Sequence, residues 1–326
     1  MRFSLIFLTV MLCGVCVCTV RSQTEPQFTQ YMYNIYLVNP AYAGSNEAAE
    51  FYLLHRSQYV GLTGRAIATQ AFHFNVPVFA ISSGVGLTVM NDLIGQQRAT
   101  YFNLLYTYRK KFSWGNVAAG IQGGLIQTSL DGSQLRAPDG NYQNGVNHND
   151  NFLPVLLQQG LGPDMGAGVY INSKTFFAGA AVHHIFYAQA AVNTPAGSVK
   201  LRFNRTAFFT GGYHINIHRN LTLSPTALVK TNFAQVQTDV NVNFIVVRTI
   251  TGGISFRGYN RKSVDALAIN LGVLYKGFRA VYSYDVNLSY LRSFHTGSHE
   301  VSLCYAHPMK RKEKRGYFFH HPRFNL

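Results

Sequence analysis

The sequence has little charge. Asp, Glu, Lys and Arg make up 13% of its 326 residues, against about 25% in a typical soluble domain. Long apolar runs are missing as well. Beyond residue 22 no stretch reaches the roughly 18 apolar residues that a membrane-spanning helix needs, which excludes a helical bundle in the bilayer. Cysteine is scarce: Cys13, Cys16 and Cys18 fall in the first 22 residues and only Cys304 lies beyond them. A disulfide framework is therefore excluded. No GxSxG, HExxH or GxxxxGK[ST] motif occurs, so nothing in the sequence asks for an enzyme, and no cofactor is expected.

What is present is glycine, tyrosine and phenylalanine, at 29, 20 and 24 residues, with mean hydropathy near zero. Neutral hydropathy with abundant aromatics suits a sheet with one apolar and one polar face, as in a transmembrane β-barrel. Residues 1–22 have the form of a secretory signal: Arg2, an apolar run from Leu5 to Val17, and Val20-Arg21-Ser22 before the cleavage point. An uncleaved anchor is the competing reading. The formal net charge is +15. In an exported protein this favours lipid headgroups or acidic partners over nucleic acid.

Period-two alternation recurs along the chain. Leu267, Ile269, Leu271, Val273 and Tyr275 point one way, and Ala266, Ala268, Asn270 and Gly272 the other. Phe102, Leu104, Tyr106 and Tyr108 alternate with Asn103, Thr107 and Arg109. Fourteen candidate strands fit between residues 49 and 306, including 116–128, 164–171, 174–185, 201–215 and 221–231. Their connections alternate in length. VPVFA, KFSWGN, NS, NIHRN, VR and KG are short, while 129–163 and 186–200 on the other side are the two longest. That asymmetry belongs to an outer-membrane barrel with periplasmic turns and extracellular loops; a soluble β-sandwich has no reason to show it. The loop 129–163 is rich in Asp, Asn and Gly but lacks EF-hand spacing, and a solvated outer loop is expected.

The candidate chemistry is sparse. His214 and His218 on one strand lie about 13 Å apart, too far to share an ion. His183 and His184 should point to opposite faces. Arg65, Arg109, Arg205, Arg279, Asp239 and Asp285 are the charged residues expected to pair inside the lumen.

The stretch Phe28–Gly44, FTQYMYNIYLVNPAYAG, holds no charge. Phe28, Tyr31, Met32, Ile35 and Tyr36 recur at helical spacing, Thr24 and Gln27 have the form of a capping box, and Pro40 ends the pattern. A short luminal helix is expected, with Tyr31, Tyr33 and Tyr36 bonding to polar groups of the wall; an additional strand is the competing reading.

The run from Pro26 to Ser45, and within it Phe28, Gln30, Tyr31 and the block Asn39, Pro40, Ala41, Tyr42, Ala43, Gly44, resembles the N-terminal signature of the PorP/SprF family of Bacteroidetes. HRSQYVGLTG, with Arg56, Gln58 and Tyr59, is similar to the family's second block, Tyr59 standing where the family has Trp. The resemblance implies an outer-membrane barrel of the type IX secretion and gliding machinery. Its partners would be a secreted adhesin-like cargo with a C-terminal sorting domain and periplasmic components of the apparatus. A diffusion or uptake channel is the alternative.

The expected organisation is a signal peptide at 1–22, a plug at 23–47, an all-β transmembrane antiparallel barrel of about fourteen strands at 48–306, and a basic periplasmic tail at 307–326. The tail departs from the family pattern. Its Lys310, Arg311, Lys312, Lys314 and Arg315, with Phe318 and Phe319, are candidates for docking an acidic partner.

Overall fold

A computed structural model describes residues 25–62, 67–259, 263–288 and 290–309. The signal segment, Arg65 and the tail candidates from Lys310 to Phe319 lie outside the described residues. The first half of the chain forms Ala48–Gln58 (β1), Ile67–Val78 (β2), Ser83–Ile94 (β3), Gln97–Lys111 (β4), Asn116–Asp131 (β5) and Leu157–Asn172 (β6). Phe176–His183 (β7), Gln189–Thr194 (β8), Gly197–Arg202 (β9), Thr206–Tyr213 (β10), Ile215–His218 (β11) and Leu221–Thr231 (β12) follow. Val236–Val246 (β13), Ile250–Tyr259 (β14), Ser263–Tyr275 (β15), Phe278–Asn287 (β16) and Ser298–Pro308 (β17) complete the set.

Every pairing is antiparallel, and three join strands that are not chain neighbours: β7 pairs with β10 past the β8–β9 hairpin, Val182 opposite Ala207, and two more close the sheet. β1 pairs with β17, Ala48 opposite Pro308, and β10 skips the short β11 to pair with β12, Ala207 opposite Thr231. The staves are β1–β7, β10 and β12–β17, so the barrel is closed with 14 strands. Closure leaves no continuous sheet edge for aggregation. Both ends of the described barrel meet at one rim, where the connections are short. Lys276-Gly277, both at positive φ, make the tightest of them, a twist that matches the flanking strands. The opposite rim carries the long connections.

Three sequence expectations shift. β5 and β6 run on to Asp131 and back from Leu157, so the long loop is 132–156 rather than 129–163. Residues 197–202 do not begin a stave but pair with β8 as a separate hairpin. That hairpin is not an outward loop. Carbonyls of Gln189 and Ala191 lie where a Cβ on Gly162 or Gly160 would stand, so β8 lies flat on the inner wall of β6. Ala188, Ala190, Val192 and Phe203 are buried. The segment 186–200 folds into the mouth because it offers small apolar side chains to a glycine-faced wall. The wall needs backing there: β6 pairs with β7 only from Ala167 onward, so Leu157–Gly166 overhangs. Pro163 on the overhang offers no N–H to a foreign strand.

The burial pattern inverts that of a soluble protein. Outward residues such as Leu104, Ile254 and Leu271 are 59%, 61% and 61% exposed, while inward Thr107, Asn241, Ser283 and Glu300 are fully buried. Aromatic residues gather at the short-turn rim. Phe112 stacks on Trp114 at 5.7 Å and Phe278 packs on Tyr305 at 4.5 Å. An apolar band edged by aromatic rings is the outer surface that lipid selects.

In detergent the protein should give a predominantly β circular dichroism spectrum, and its unheated band should migrate away from the boiled one on SDS gels. A helical spectrum, or identical migration, would contradict a closed barrel.

Candidate functional site

The lumen is occupied by the chain's own N-terminal segment. It enters near the long-loop rim at Glu25 and descends to Gly44 at the short-turn rim. It is not one α-helix. Three 3-10 turns, Tyr31–Tyr33, Ile35–Leu37 and Pro40–Tyr42, are separated by Asn34 and Asn39 in non-helical conformations. A 3-10 helix rises about 2.0 Å per residue against about 1.5 Å for α. The broken form therefore spans more of the lumen and frees backbone groups for the wall. Pro40 acts as the sequence implies: Asn39 is extended, and its Oδ1 accepts from the Ala41 N–H at 3.0 Å.

Toward the long-loop ends of β1, β16 and β17 the segment meets a buried ionic knot. Arg56 pairs with Asp285 at 2.7 Å and Glu300 at 2.9 Å. Arg257 pairs with Asp239 at 2.6 Å and Asp285 at 3.3 Å. Thr29 sits at the centre. Its hydroxyl donates to Asp285 at 2.7 Å and accepts from Arg56 at 2.8 Å and Arg257 at 3.2 Å. The backbone N–H groups of Thr29 and Gln30 donate to the two oxygens of Glu300 at 2.8 and 3.0 Å. The Gln30 side chain donates to the Glu300 and Val281 carbonyls and accepts from Ser302.

The two sequence blocks that carry the family resemblance meet here. Arg56 is in the knot, Gln58 donates to Gln27 at 3.0 Å, and the Tyr59 N–H donates to Ser298 at 3.1 Å. Phe28 packs in an apolar cluster with Tyr36, Met90, Tyr101 and Phe203. Tyr31 donates to the Thr226 carbonyl at 3.0 Å, and the Tyr33 hydroxyl meets that of Thr251 at 2.7 Å. Tyr36 departs from expectation: its hydroxyl has no hydrogen-bond partner among the described residues, and the ring stacks on His73 at 3.8 Å instead.

The lower block is seated on glycines. A Cβ on Gly120 would fall 2.5 Å from the Ala41 Cα, and one on Gly84 would overlap the Ala43 carbonyl. The wall grips this backbone directly. Thr107 donates to the Pro40 carbonyl at 2.8 Å, Arg109 to that of Ala43 at 3.3 Å, and the Asn39 amide to that of Val169 at 2.9 Å. Tyr42 meets Tyr170 edge-on at 5.1 Å. Gly44, at φ +71°, donates to Asn75 at 2.8 Å as the chain turns into β1.

The upper end is held by a second charged cluster. Glu25 contacts His184 Nε2 at 2.5 Å and lies 3.9 Å from His183 Nδ1. His184 Nδ1 meets Asp164 at 2.8 Å, and Lys230 donates to the carbonyls of Glu25 and Pro26 at 3.3 Å. The two histidines do not face apart. His184 follows the last residue of β7 at φ +54°, which breaks the alternation and turns both rings toward Glu25. Burial alone would raise the Glu25 carboxyl, but His184 foremost, with His183 and Lys230, holds it down at about 2. Burial would lower His184, yet Glu25 and Asp164 raise it to about 10.

Of the charged residues expected to pair inside, Asp239 and Asp285 do so. Arg109 and Arg279 reach carbonyls of the plug instead, those of Ala43 and Tyr33. Arg205 is exposed and lies over the Tyr187 ring at 4.1 Å. Sequence reasoning missed Arg257 and Glu300. Parity could have found them, since Glu300 alternates in step with Ser298 and Ser302, and Arg257 with Ser255. Nothing local signalled Glu25, which is one acid near a presumed cleavage point.

An apolar outer face, aromatic rims and a polar lumen stopped by the chain's own segment define the class: an outer-membrane β-barrel with an internal plug. The family model described as "Type IX secretion system membrane protein PorP/SprF" matches residues 20–305, and the chain belongs to that family. Among solved structures, Omp33 of Acinetobacter baumannii is similar at 10% identity and a TM-score of 0.44, over 79% of this chain and 98% of that one. The TodX deltaS2S3 mutant, a monoaromatic hydrocarbon channel, is similar at 11% identity and 0.47, over 84% and 94%. The KdgM porin is similar at 9% identity and 0.35, over 78% and 98%. No curated protein matches the chain at a significant level.

Removing Arg56 (Arg56→Met) strands Asp285 and Glu300 with fewer counter-charges, a change expected to cost about 3–5 kcal/mol; it should read out as a lower temperature for loss of the fast-migrating gel band. The Glu25–His184 pair gives a pH dependence. Glu25 is depressed, so its contribution is present above pH 4.5 and lost as pH falls toward about 2. His184 is raised, so its contribution is complete below pH 6.5 and lost as pH rises through about 10. Thermal stability should therefore be greatest between those two limits, and Glu25→Gln should flatten both limbs.

Proposed function

We propose that the protein is a closed docking barrel of the type IX apparatus. In this reading it supports export and surface anchoring of a cognate adhesin-like cargo and contacts periplasmic machinery. The observation that carries the reading is the plug. Its first described residue is salt-bridged, Thr29 and Gln30 are tied into the ionic knot just below, and its lower block is gripped by the wall at Gly84 and Gly120. A segment fixed at three levels supports a stopper or an anchor point more than a pore.

The two rims divide the contacts. The long-loop rim faces the cell exterior, as the short-turn rim with both barrel ends is the periplasmic one. Loop 132–156 is internally ordered: Tyr142 bonds to His148 at 3.1 Å, and His148 to the Pro154 carbonyl at 3.0 Å. It is tied to the β8–β9 hairpin through Ala196 N–H to the Asn151 carbonyl at 2.9 Å. Phe152, Leu156 and Phe186 stand out from this rim at 69%, 67% and 72% exposed. Aromatic anchors on an ordered loop suit capture of the cargo's sorting domain. The basic tail beyond residue 309 serves an acidic periplasmic partner, with salt-sensitive affinity.

The diffusion-channel alternative is separated by conductance. The wild-type barrel should be nearly silent in planar bilayers, and Gly120→Leu, which unseats the plug, should open it. A conducting wild type would favour the channel. Replacing 135–153 by a short Gly-Ser turn should release the adhesin from the cell surface while the barrel still inserts. Removing 310–326 should weaken recovery of periplasmic components. Unchanged display and recovery would sink the docking assignment.

A further inference from the structure

The plug does not fill the lumen evenly. Beside its lower half lies a cavity of about 370 Å³. It reaches the short-turn rim, since Ser173 and His214, in the β6–β7 and β10–β11 connections, line it. That volume is within the usual range for a binding pocket, about 300–1,000 Å³. Its walls are mixed. Tyr33, Tyr42, Tyr170 and Phe177 offer ring faces and edges, and Asn172 and Asn243 offer amides.

Arg279 lines the same cavity and differs from the two arginines of the ionic knot; Arg109, which likewise reaches only a plug carbonyl, lies outside this cavity. Arg56 and Arg257 share three carboxylates. Among the described residues Arg279 donates only to the Tyr33 carbonyl at 3.0 Å, with its guanidinium 5.0 Å from the Tyr33 ring centre. Its Nε is buried without a partner. Among the described residues no carboxylate pairs with it. Glu50, two strands away, is held by Asn46 at 2.7 Å and Asn75 at 3.1 Å. A second group is idle as well: among the described residues the buried Asn243 Oδ1 has no donor. A cation without a counter-charge and an acceptor without a donor, set among aromatic rings, form an incomplete recognition site.

We propose that this cavity is a receptor for a peptide carboxylate carried beside an apolar residue, presented by a periplasmic partner. The inference rests on the periplasmic orientation given to this rim above. The carboxylate answers Arg279, a peptide N–H answers Asn243, and the apolar side chain lies against Tyr170 and Phe177. A fatty acid satisfies only the first of these. Its hydrocarbon would cover Asn172 and Asn243 and leave them dry, at a cost. The buried position favours strong pairing, because a charged hydrogen bond gains when water is excluded.

The test uses the full-length barrel in detergent and N-acetyl-glycyl-phenylalanine, either as the free acid or as its C-terminal amide, followed by calorimetry or ligand-observed NMR. The acid should bind saturably, and the amide should bind at least about 10-fold more weakly, the step expected when one charged partner is removed. Arg279→Met should erase that difference. Because Arg279 also holds Tyr33, a second variant is needed. Ile245→Trp fills the cavity from β13 with Arg279 untouched, and should abolish binding of both forms while the heat-dependent gel shift stays normal. Equal affinity for acid and amide, no binding by the wild type, or tighter binding of decanoate than of the peptide would each overturn the proposal. These outcomes are independent of adhesin display, so a failure here leaves the docking reading to its own test.

Discussion

The structure depends on a buried set of charges that can exist only because each is answered. Arg56 and Arg257 share Asp239, Asp285 and Glu300, with Thr29 at the centre. Burying even one such ion alone costs several kcal/mol. The network must therefore form as a whole or not at all. It draws its members from β1, β13, β14, β16 and β17 and takes its centre from the plug. A barrel wall alone could not complete it, because the two oxygens of Glu300 are answered by backbone N–H groups of the plug. The plug is thus part of the wall's electrostatics and not an object placed within it.

The rest of the lumen follows from that constraint. A segment pinned at Thr29 and at Gly44 must bridge the height between them, and broken 3-10 turns do so where an α-helix would fall short. The wall yields space where the backbone passes, at Gly84 and Gly120, and supplies rings where tyrosines descend, at His73 and Tyr170. At the outer mouth the same economy places glycines of β6 under the β8–β9 hairpin. Low charge in the sequence as a whole is consistent with this. The apolar band takes little charge, and the lumen pairs most of what it takes, with Arg109 and Arg279 answered by plug carbonyls instead.

The two rims have different characters, and this gives the functional reading its shape. Outside, an ordered loop and a hairpin lie over the mouth and expose aromatic residues. Inside, short turns leave a cavity open beside the plug, with an arginine in its wall. A plugged barrel of the PorP/SprF family with features on both rims is suited to holding partners on two sides of a membrane.

Much of this was legible in the sequence. Strict alternation in stretches such as 267–275 and 102–109 set the sheet and its lipid face, because a strand must send successive side chains to opposite sides. Short and long connections set the topology, and Pro40 set where the N-terminal segment breaks. Partnership was not legible. His183 and His184 were assigned to opposite faces by alternation, yet a single left-handed residue turns both toward Glu25. Arg205 was expected inside and lies outside, while Arg257 and Glu300 were passed over and hold the centre. The stretch 186–200 has the composition of a loop and lies in the mouth, because the glycines that receive it are some 30 residues earlier in the chain. The sequence by itself determined a two-faced closed sheet and its family, since those rest on local period and on contiguous motifs. Only the tertiary structure decided which charges meet, because a luminal contact joins residues as far apart as Thr29 and Glu300, and no local pattern records what stands across the barrel.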